Sequence, residues 1–314
     1  MNEWVRPAGT TADDEYDTRI QPGGPSSLRQ AQGKPGSGNE QWSHTGLLVT
    51  DLAAGESRTV RTGEQEWIVV PLSGAATVEV ESARYELTGR ADVFSAATDV
   101  LYVPRDSAFT VTSRDGGRYA FCSATARTSF PVTLIPAADV PDELRGAGSA
   151  SRRVRNFGVP GVLDADSIIA CEVITPAGNW SSYPPHKHDE ERAGVETSLE
   201  EIYYFEVRPE PSGQGAPADA FGYQRVYGTA ERPIEVLAEV RSADVVLVPH
   251  GWHGPAMAPP GYDLYYLNVM AGPGETRAWL ICDDPAHAWV RQTWVNQSVD
   301  PRLARTEEKT PRNG

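Results

Sequence analysis

The chain has 314 residues, room for about two domains of ordinary size, each long enough to bury its own core. Hydrophobic residues make up 39% and charged residues 23%, the balance of a soluble globular protein. With 28 Lys and Arg against 43 Asp and Glu, the formal net charge is −15, which argues against nucleic acid or an anionic membrane as partner and leaves a small anionic substrate open.

The N-terminus, MNEWVRPAGTTADDEYD, has neither the basic run nor the apolar core of a secretory signal. No apolar stretch approaches the ~20 residues of a membrane span. Cys122, Cys171 and Cys282 are odd in number, widely spaced and without a CxxC, so they read as reduced thiols of a cytoplasmic protein.

In chain order, residues 1–39 read as an irregular N-terminal arm, dense in Gly, Pro, Ser and Gln from Ile20 to Glu40. Short β-branched or aromatic runs follow: TGLLVTDL, TVRTG, EWIVVPL, ATVEVES, ARYELTG, VLYVP, FTVTS and YAFCSA. Gly, Pro and Asp punctuate them, as between strands. They define a first domain over 40–140. The segment DVPDELRGAGSAS, from Asp139 to Ser151, reads as a linker.

The pattern then restarts over 150–297 with SIIACEVITPAG, EEIYYFEV, AFGYQRVYG, IEVLAEV, DVVLVP and YDLYYLNVMAG. Landmarks recur in order: LAAGES answers ITPAGN, EWIVVPLSG answers EEIYYFEV, and DVLYVPRDSA answers DVVLVPHGWH. This is duplication at domain scale. Asp before Pro predicts a helix over PAHAWVRQTW, with Asp as N-cap and Pro at the first helical position. Residues 298–314 read as a flexible tail. Many evenly spaced strands with almost no helix predict an all-β protein of two tandem β-barrels with a short C-terminal helix. With an HxH in one barrel, this resembles the bicupin (jelly-roll) fold.

The chain has six His, and four of them lie in PPHKHD and VPHGWHG. Residues two apart on a strand share a face, so His186 and His188 point together and Lys187 points away. Pro184 and Pro185 favour extended chain before them. In EEIYYF only one glutamate can join them; Glu201 shares a face with Tyr203 and Phe205, and Glu200 faces the other way. A third imidazole comes from the turn after DVVLVP, by His253 or its competitor His250. Three imidazoles and one carboxylate suit one divalent ion of Zn, Mn, Fe, Ni or Co. The first half puts Ala108 where the second has His253, and no His lies between Ser57 and Ala108. Glu66 is the expected counterpart of Glu201. That barrel keeps the fold and lacks the metal, which leaves it a role in packing or oligomer contact.

At YPPHKHD, LEEIYYF, FGYQRVY, DVVLVPHGWH, GYDLYYLNVMAG and DDPAHAWV the sequence resembles the IolB family of bacterial inositol catabolism. The stretches VPLSG and VFSAATDVLYVP extend the likeness into the first half, so that it covers roughly residues 40 to 297. It is more distantly similar to 4-deoxy-5-keto-uronate isomerases. The resemblance implies a bicupin aldose–ketose isomerase that converts 5-deoxy-D-glucuronate to 5-dehydro-2-deoxy-D-gluconate, with His186, His188, Glu201 and His253 holding the metal. Two departures stand out: an arm from Ile20 to Glu40 longer than the family needs, and His250 in the VP turn.

Isomerisation needs a general base with a pKa near working pH. Asp263, Tyr265 and His250 are the candidates; Asp263 and Tyr265 share one face of GYDLYYLNV, Tyr266 and Asn268 the other. For the substrate carboxylate, Arg225 is the first choice, because a guanidinium can grip it bidentately. Tyr183, Tyr203 and Gln224 are candidate pocket residues. The expected partner is a small uronate-type sugar, with neither nucleic acid nor membrane, and a homo-oligomer is left open. Rival readings are an Fe(II) cupin dioxygenase and a non-catalytic sugar-binding bicupin.

Overall fold

The computed structural model describes residues 2–22, 42–211 and 219–303. Three antiparallel sheets account for the fold, with one short helix at Val290–Thr293. Among the described residues no helix is long and apolar enough to cross a membrane.

The first half is one nine-stranded sheet that folds over on itself. The strand Gln65–Val80 makes this possible. Its first part pairs with Val100–Val103 and Gly117–Thr125, and its second part with Ala83–Arg90 and Ala108–Ser113. The register breaks around Ser73 and Gly74, where the strand passes from one face to the other. Gly74 has φ +78°, and a Cβ there would stand 2.4 Å from the Gly116 carbonyl, so the corner requires glycine.

The second half divides the same work between two sheets. Glu200–Pro209 is central to the seven-stranded sheet, between Val245–Val248 and Tyr262–Ala271. Gly222–Tyr227 lies in the six-stranded sheet, between Glu235–Val240 and Trp252–Met257.

The three apolar cores follow strand parity. Ile68 and Val70 from the first half meet Ile202, Tyr204, Tyr265, Leu267 and Val269 from the second, in a core between the halves. Trp67 and Val69 face the interior of the first half. Tyr203, Phe205, Leu264, Tyr266 and Met270 face the interior of the second. The central strands are thus covered on both faces, which explains their unbroken apolar runs.

Two glutamates clasp the halves reciprocally. Glu66 accepts hydrogen bonds from the backbone N–H of Asp166, Ser167 and Ile168 (2.9, 2.6 and 2.7 Å) and from the Tyr102 hydroxyl at 2.7 Å. Glu200 accepts from the N–H of Ser43, His44 and Thr45 (3.0, 2.8 and 2.7 Å) and from the Thr45 hydroxyl at 2.9 Å. Each therefore anchors the approach to the other half's strand, Ile169–Thr175 or Thr45–Leu52. Charge-assisted bonds to backbone N–H are among the strong ones.

This corrects the expected pairing of Glu66 with Glu201. Glu66 lies opposite Ala124, as Glu200 lies opposite Ala271. Trp67 lies opposite Val103, as Glu201 lies opposite Val248. The counterpart of Glu201 is thus Trp67, an apolar core residue. Arg61 pairs with Ala108 as His186 pairs with His253, so the first half has Arg61 and Ala108 at two of the histidine positions.

A buried ion network also spans the halves. Arg90 grips Glu172 bidentately, with both bonds at 2.7 Å. Arg155 adds a bond at 3.0 Å and the Tyr265 hydroxyl another at 3.0 Å. The side chains of Arg90, Arg155 and Glu172 are at most 3% exposed.

Four local expectations need revision. The arm contributes strands at Val5–Arg6, on Val245–Val248, and at Thr18–Ile20, on Thr45–Leu52; residues 23–41 lie outside the described ones. In the expected linker, Asp142–Arg145 forms an edge strand on Arg152–Gly158, and its exposed charges suit an edge. Asp284 does accept a bond from the Ala286 N–H at 2.8 Å, but the chain makes turns before a helix forms at Val290–Thr293. In the tail, Leu303 is buried and Asp300 accepts a bond from Asn179, while 304–314 lie outside the described residues.

Candidate metal centre

Strand pairing builds the site. His186, in the short strand His186–Lys187, lies directly opposite His253 in Trp252–Met257. The imidazole of His253 sits between the other two, with ring centroids 4.5 Å from His186 and 4.6 Å from His188. Glu201 enters from the second sheet, its Oε2 3.2 Å from Nε2 of both His188 and His253. The His188, Glu201 and His253 side chains are 1–3% exposed, and their ligand atoms all lie within 4.8 Å of one another.

The backbone sets the tautomers. Nδ1 of His186, His188 and His253 lies 3.3, 3.1 and 3.1 Å from the carbonyls of Pro184, Leu199 and Gly251. A carbonyl only accepts, so each Nδ1 carries a proton, which leaves Nε2 as the atom each ring offers to a metal. Nε2 of His253 is buried and makes no hydrogen bond to a described residue. Burial, then the neighbouring His188, pushes the His186 pKa down to about 3. Burial, then His186, holds His253 well below its ordinary value. Burial opposes a charge on His188 too, but the hydrogen bond and charge of Glu201 outweigh it and raise the pKa. Imidazoles that present Nε2, two of them held neutral by burial, converge with a carboxylate and fit a divalent cation.

Lys187 points away, as its parity requires; its Nζ bonds Asp189 at 2.6 Å and Glu196 at 2.8 Å. His250 is buried in the turn before His253, outside the cluster of His188, Glu201 and His253; the expected ligand His186 also lies outside that cluster, beside it, with its ring 6.4 Å from that of His188. Gly254, with φ +98°, lets this strand pass tightly over Ser182, since a Cβ there would stand 1.7 Å from the Ser182 carbonyl.

Two of the three expected bases are not brought to the site. Asp263 lies opposite Arg208, seven residues along the strand from Glu201, about 23 Å at ~3.3 Å per residue. It pairs with Arg208 at 3.2 Å and accepts from the Ala177 N–H at 3.1 Å. Tyr265 lies opposite Glu206 and faces the core between the halves, bonded to Glu172. The barrel is lined by the other face of that strand. Tyr266 bonds Ser182 Oγ at 3.1 Å, and Ser182 Oγ bonds the Tyr203 hydroxyl at 3.1 Å. The Tyr203 ring is 6.2 Å from that of His253. Tyr266 and Ser182 are the residues that sequence reasoning missed; choosing Tyr266 over Tyr265 needed the register against Glu201.

Arg225 is also displaced. Gly222, Gln224 and Val226 are buried, while Tyr223, Arg225 and Tyr227 alternate with them on the outer face. Arg225 stacks on Tyr227, its Cζ 4.0 Å from the ring centroid. Gln224 faces inward, fully buried, and its amide makes no hydrogen bond to a described residue. Tyr183 packs edge-on against Trp180 at 5.4 Å.

Comparison with known proteins supplies a context. A profile described as the KduI/IolB family matches residues 29–290. The chain is 43% identical over 254 residues to the 5-deoxy-glucuronate isomerase of Geobacillus kaustophilus, covering 80% of this chain and 87% of the relative. It is 41% identical to the enzyme of that name from Bacillus subtilis strain 168, covering 80% and 89%. A solved IolB-like protein from Salmonella typhimurium superposes with a TM-score of 0.77 at 35% identity, covering 91% of this chain and 98% of the other. Oxalate decarboxylase from Bacillus subtilis, described with Mn(II) centres, superposes with a TM-score of 0.52 at 9% identity over 76% of this chain and 71% of its own. That likeness is one of fold alone.

Proposed function

The chain belongs to the KduI/IolB family, and we propose that it is a metal-dependent aldose–ketose isomerase of myo-inositol catabolism. Its reaction converts 5-deoxy-D-glucuronate to 5-dehydro-2-deoxy-D-gluconate. The observation that carries this reading is the convergence of His188, Glu201 and His253 in a chain 43% identical to a 5-deoxy-glucuronate isomerase.

His188, Glu201 and His253, with His186 beside them, would hold one divalent ion. Zn, Mn, Fe, Ni and Co all suit such donors. When bound, the ion supplies Lewis-acid polarisation of the sugar's carbonyl and hydroxyl oxygens.

The chain's own groups must move the proton from the carbon beside the aldehyde. With Asp263 and Tyr265 removed by position, His250 is the remaining base of those considered, buried in the turn that delivers His253. Burial pushes the Tyr266 pKa up to about 12 and holds Tyr203 well above its ordinary value. With Ser182 they form a line of neutral hydroxyls that keep their protons at neutral pH and suit donation to substrate oxygens. Gln224 offers an inward-facing amide for the same purpose. We further propose barrel limits of 40–140 and 150–297. A cytoplasmic location suits three free thiols.

Incubating the metal-loaded protein with 5-deoxy-glucuronate under strict exclusion of oxygen tests the reading. Ketose should accumulate one-for-one with loss of aldose. A requirement for O₂ would instead mark an Fe(II) dioxygenase. Binding without any conversion would mark a sugar-binding bicupin.

A further inference from the structure

Arg152 opens the strand Arg152–Gly158 and shares its face with Val154, which packs in the interior of the second half beside Cys171, Val173, Tyr203 and Tyr266. It is only 5% exposed. A charge so deep normally has an anionic partner, as Arg90 and Arg155 have in Glu172. Arg152 makes no ion pair among the described residues. Its Nη1 donates to the Ala150 carbonyl at 3.1 Å and, at 3.5 Å, to that of Tyr183; its Nε and Nη2 donate to no described residue. Arg277 also lacks a carboxylate, but it uses Nε, Nη1 and Nη2 on three carbonyls. Arg152 keeps half of its fork unused.

Its neighbours are those of the metal centre. The guanidinium lies 5.7 Å from the centre of the Trp294 ring, and the Tyr183 carbonyl it reaches stands three residues before His186. On Trp294 a second cation, Arg291, stands 5.3 Å from the ring centre, but Asp283 neutralises it, and Asp283 is the strand neighbour of His186. Nearby Arg145 is likewise held by Glu143 at 2.6 Å. Burial lowers the Arg152 pKa to about 10; Tyr266 and Glu143 oppose the shift, and Arg145 and Arg291 add to it.

We propose that Arg152 binds the carboxylate of the sugar acid, orienting it with its carbonyl end toward the histidines. This rests on the isomerase reading and deepens it: Arg152, rather than Arg225, sets the preference for a uronate over a neutral aldose. A bidentate guanidinium–carboxylate pair in a dry pocket would complete the unused fork.

The test uses the metal-loaded full chain, Arg152→Met and Arg152→Lys, with metal content and thermal melting measured for each. Turnover of 5-deoxy-glucuronate gives KM and kcat. Calorimetry with D-glucuronate and uncharged D-glucose reads carboxylate recognition without turnover. Arg152→Met should raise KM roughly 10- to 100-fold and erase the preference for glucuronate over glucose, the scale set by losing hydrogen bonds to a charged group. Arg152→Lys, which keeps the charge and loses the fork, should fall between, with kcat changed less than KM. A folded, metal-loaded Arg152→Met with wild-type KM and glucuronate affinity would overturn the proposal, as would equal weakening toward glucose. If Arg152→Met does not fold, Arg152→Lys decides, and an unchanged KM there would overturn it. A wild-type protein that prefers glucuronate without isomerising 5-deoxy-glucuronate would sink the isomerase reading and leave Arg152's role standing.

Discussion

Glu201→Gln is expected to empty the site of metal and abolish turnover, while Glu200→Gln, one residue away, keeps both and loses stability. The two carboxylates face opposite sides of one strand. Glu201 points at His188 and His253, with Oε2 3.2 Å from each Nε2. An amide there carries no charge and would lower turnover by at least about 100-fold, since even outer-shell partners of a metal cost 10- to 100-fold. Glu200 points at the other half, where it accepts four hydrogen bonds from Ser43, His44 and Thr45. An amide there turns an NH₂ toward backbone donors, at a cost of about 2–4 kcal/mol. Elemental analysis and denaturant melts of the two variants check both halves of the prediction. Loss of metal from Glu200→Gln with retention by Glu201→Gln would reverse the assignment.

Glu172→Gln should be the most destabilising of the conservative changes, by roughly 3–5 kcal/mol, because it leaves Arg90 and Arg155 buried without their anion. The effect should depend on pH. Burial favours the neutral acid, but the charges and hydrogen bonds of Arg90 and then Arg155 outweigh it and hold the Glu172 pKa below its ordinary 4.5. The folded state therefore binds this proton more weakly than the unfolded chain. The carboxylate's contribution is fully present above about pH 4.5 and is lost as pH falls from there through the depressed folded value. Melts of wild type and variant should accordingly differ most near neutrality and converge in acid. A difference under about 1 kcal/mol at pH 7 would show that the network is replaceable, as some buried ion pairs are.

The sequence revealed what depends on local periodicity. Most strands fall where alternating β-branched and aromatic runs place them, and the HxH parity correctly sends Lys187 away from His186 and His188. The choice of Glu201 also follows from parity, and the geometry favours His253 over His250 in the cluster. What was illegible depends on which face of a strand is covered by what. Tyr265 and Tyr266 are equally aromatic and equally buried, and only the core between the halves separates them. Arg225 suits a carboxylate by its chemistry, but the outward turn of its strand is invisible without the buried Gln224 and Val226 as reference. Arg152 sits in RRVRNFG with Arg153 and Arg155, and nothing local says that of these three it is the one without an anion. The match of Glu66 to Glu201 fails on register: the cross-strand partners Ala124 and Ala271 pair Glu66 with Glu200, so the residue the halves share is the clasp.

Isomerisation is expected to depend on an ion held in the second barrel. The protein should be stripped by chelation and reloaded stepwise with a divalent ion, with metal content and 5-deoxy-glucuronate turnover read on the same samples. Turnover should rise in proportion to bound ion and level off at about one ion per chain, the stoichiometry of a single site. Full turnover in protein with no detectable ion would contradict the account.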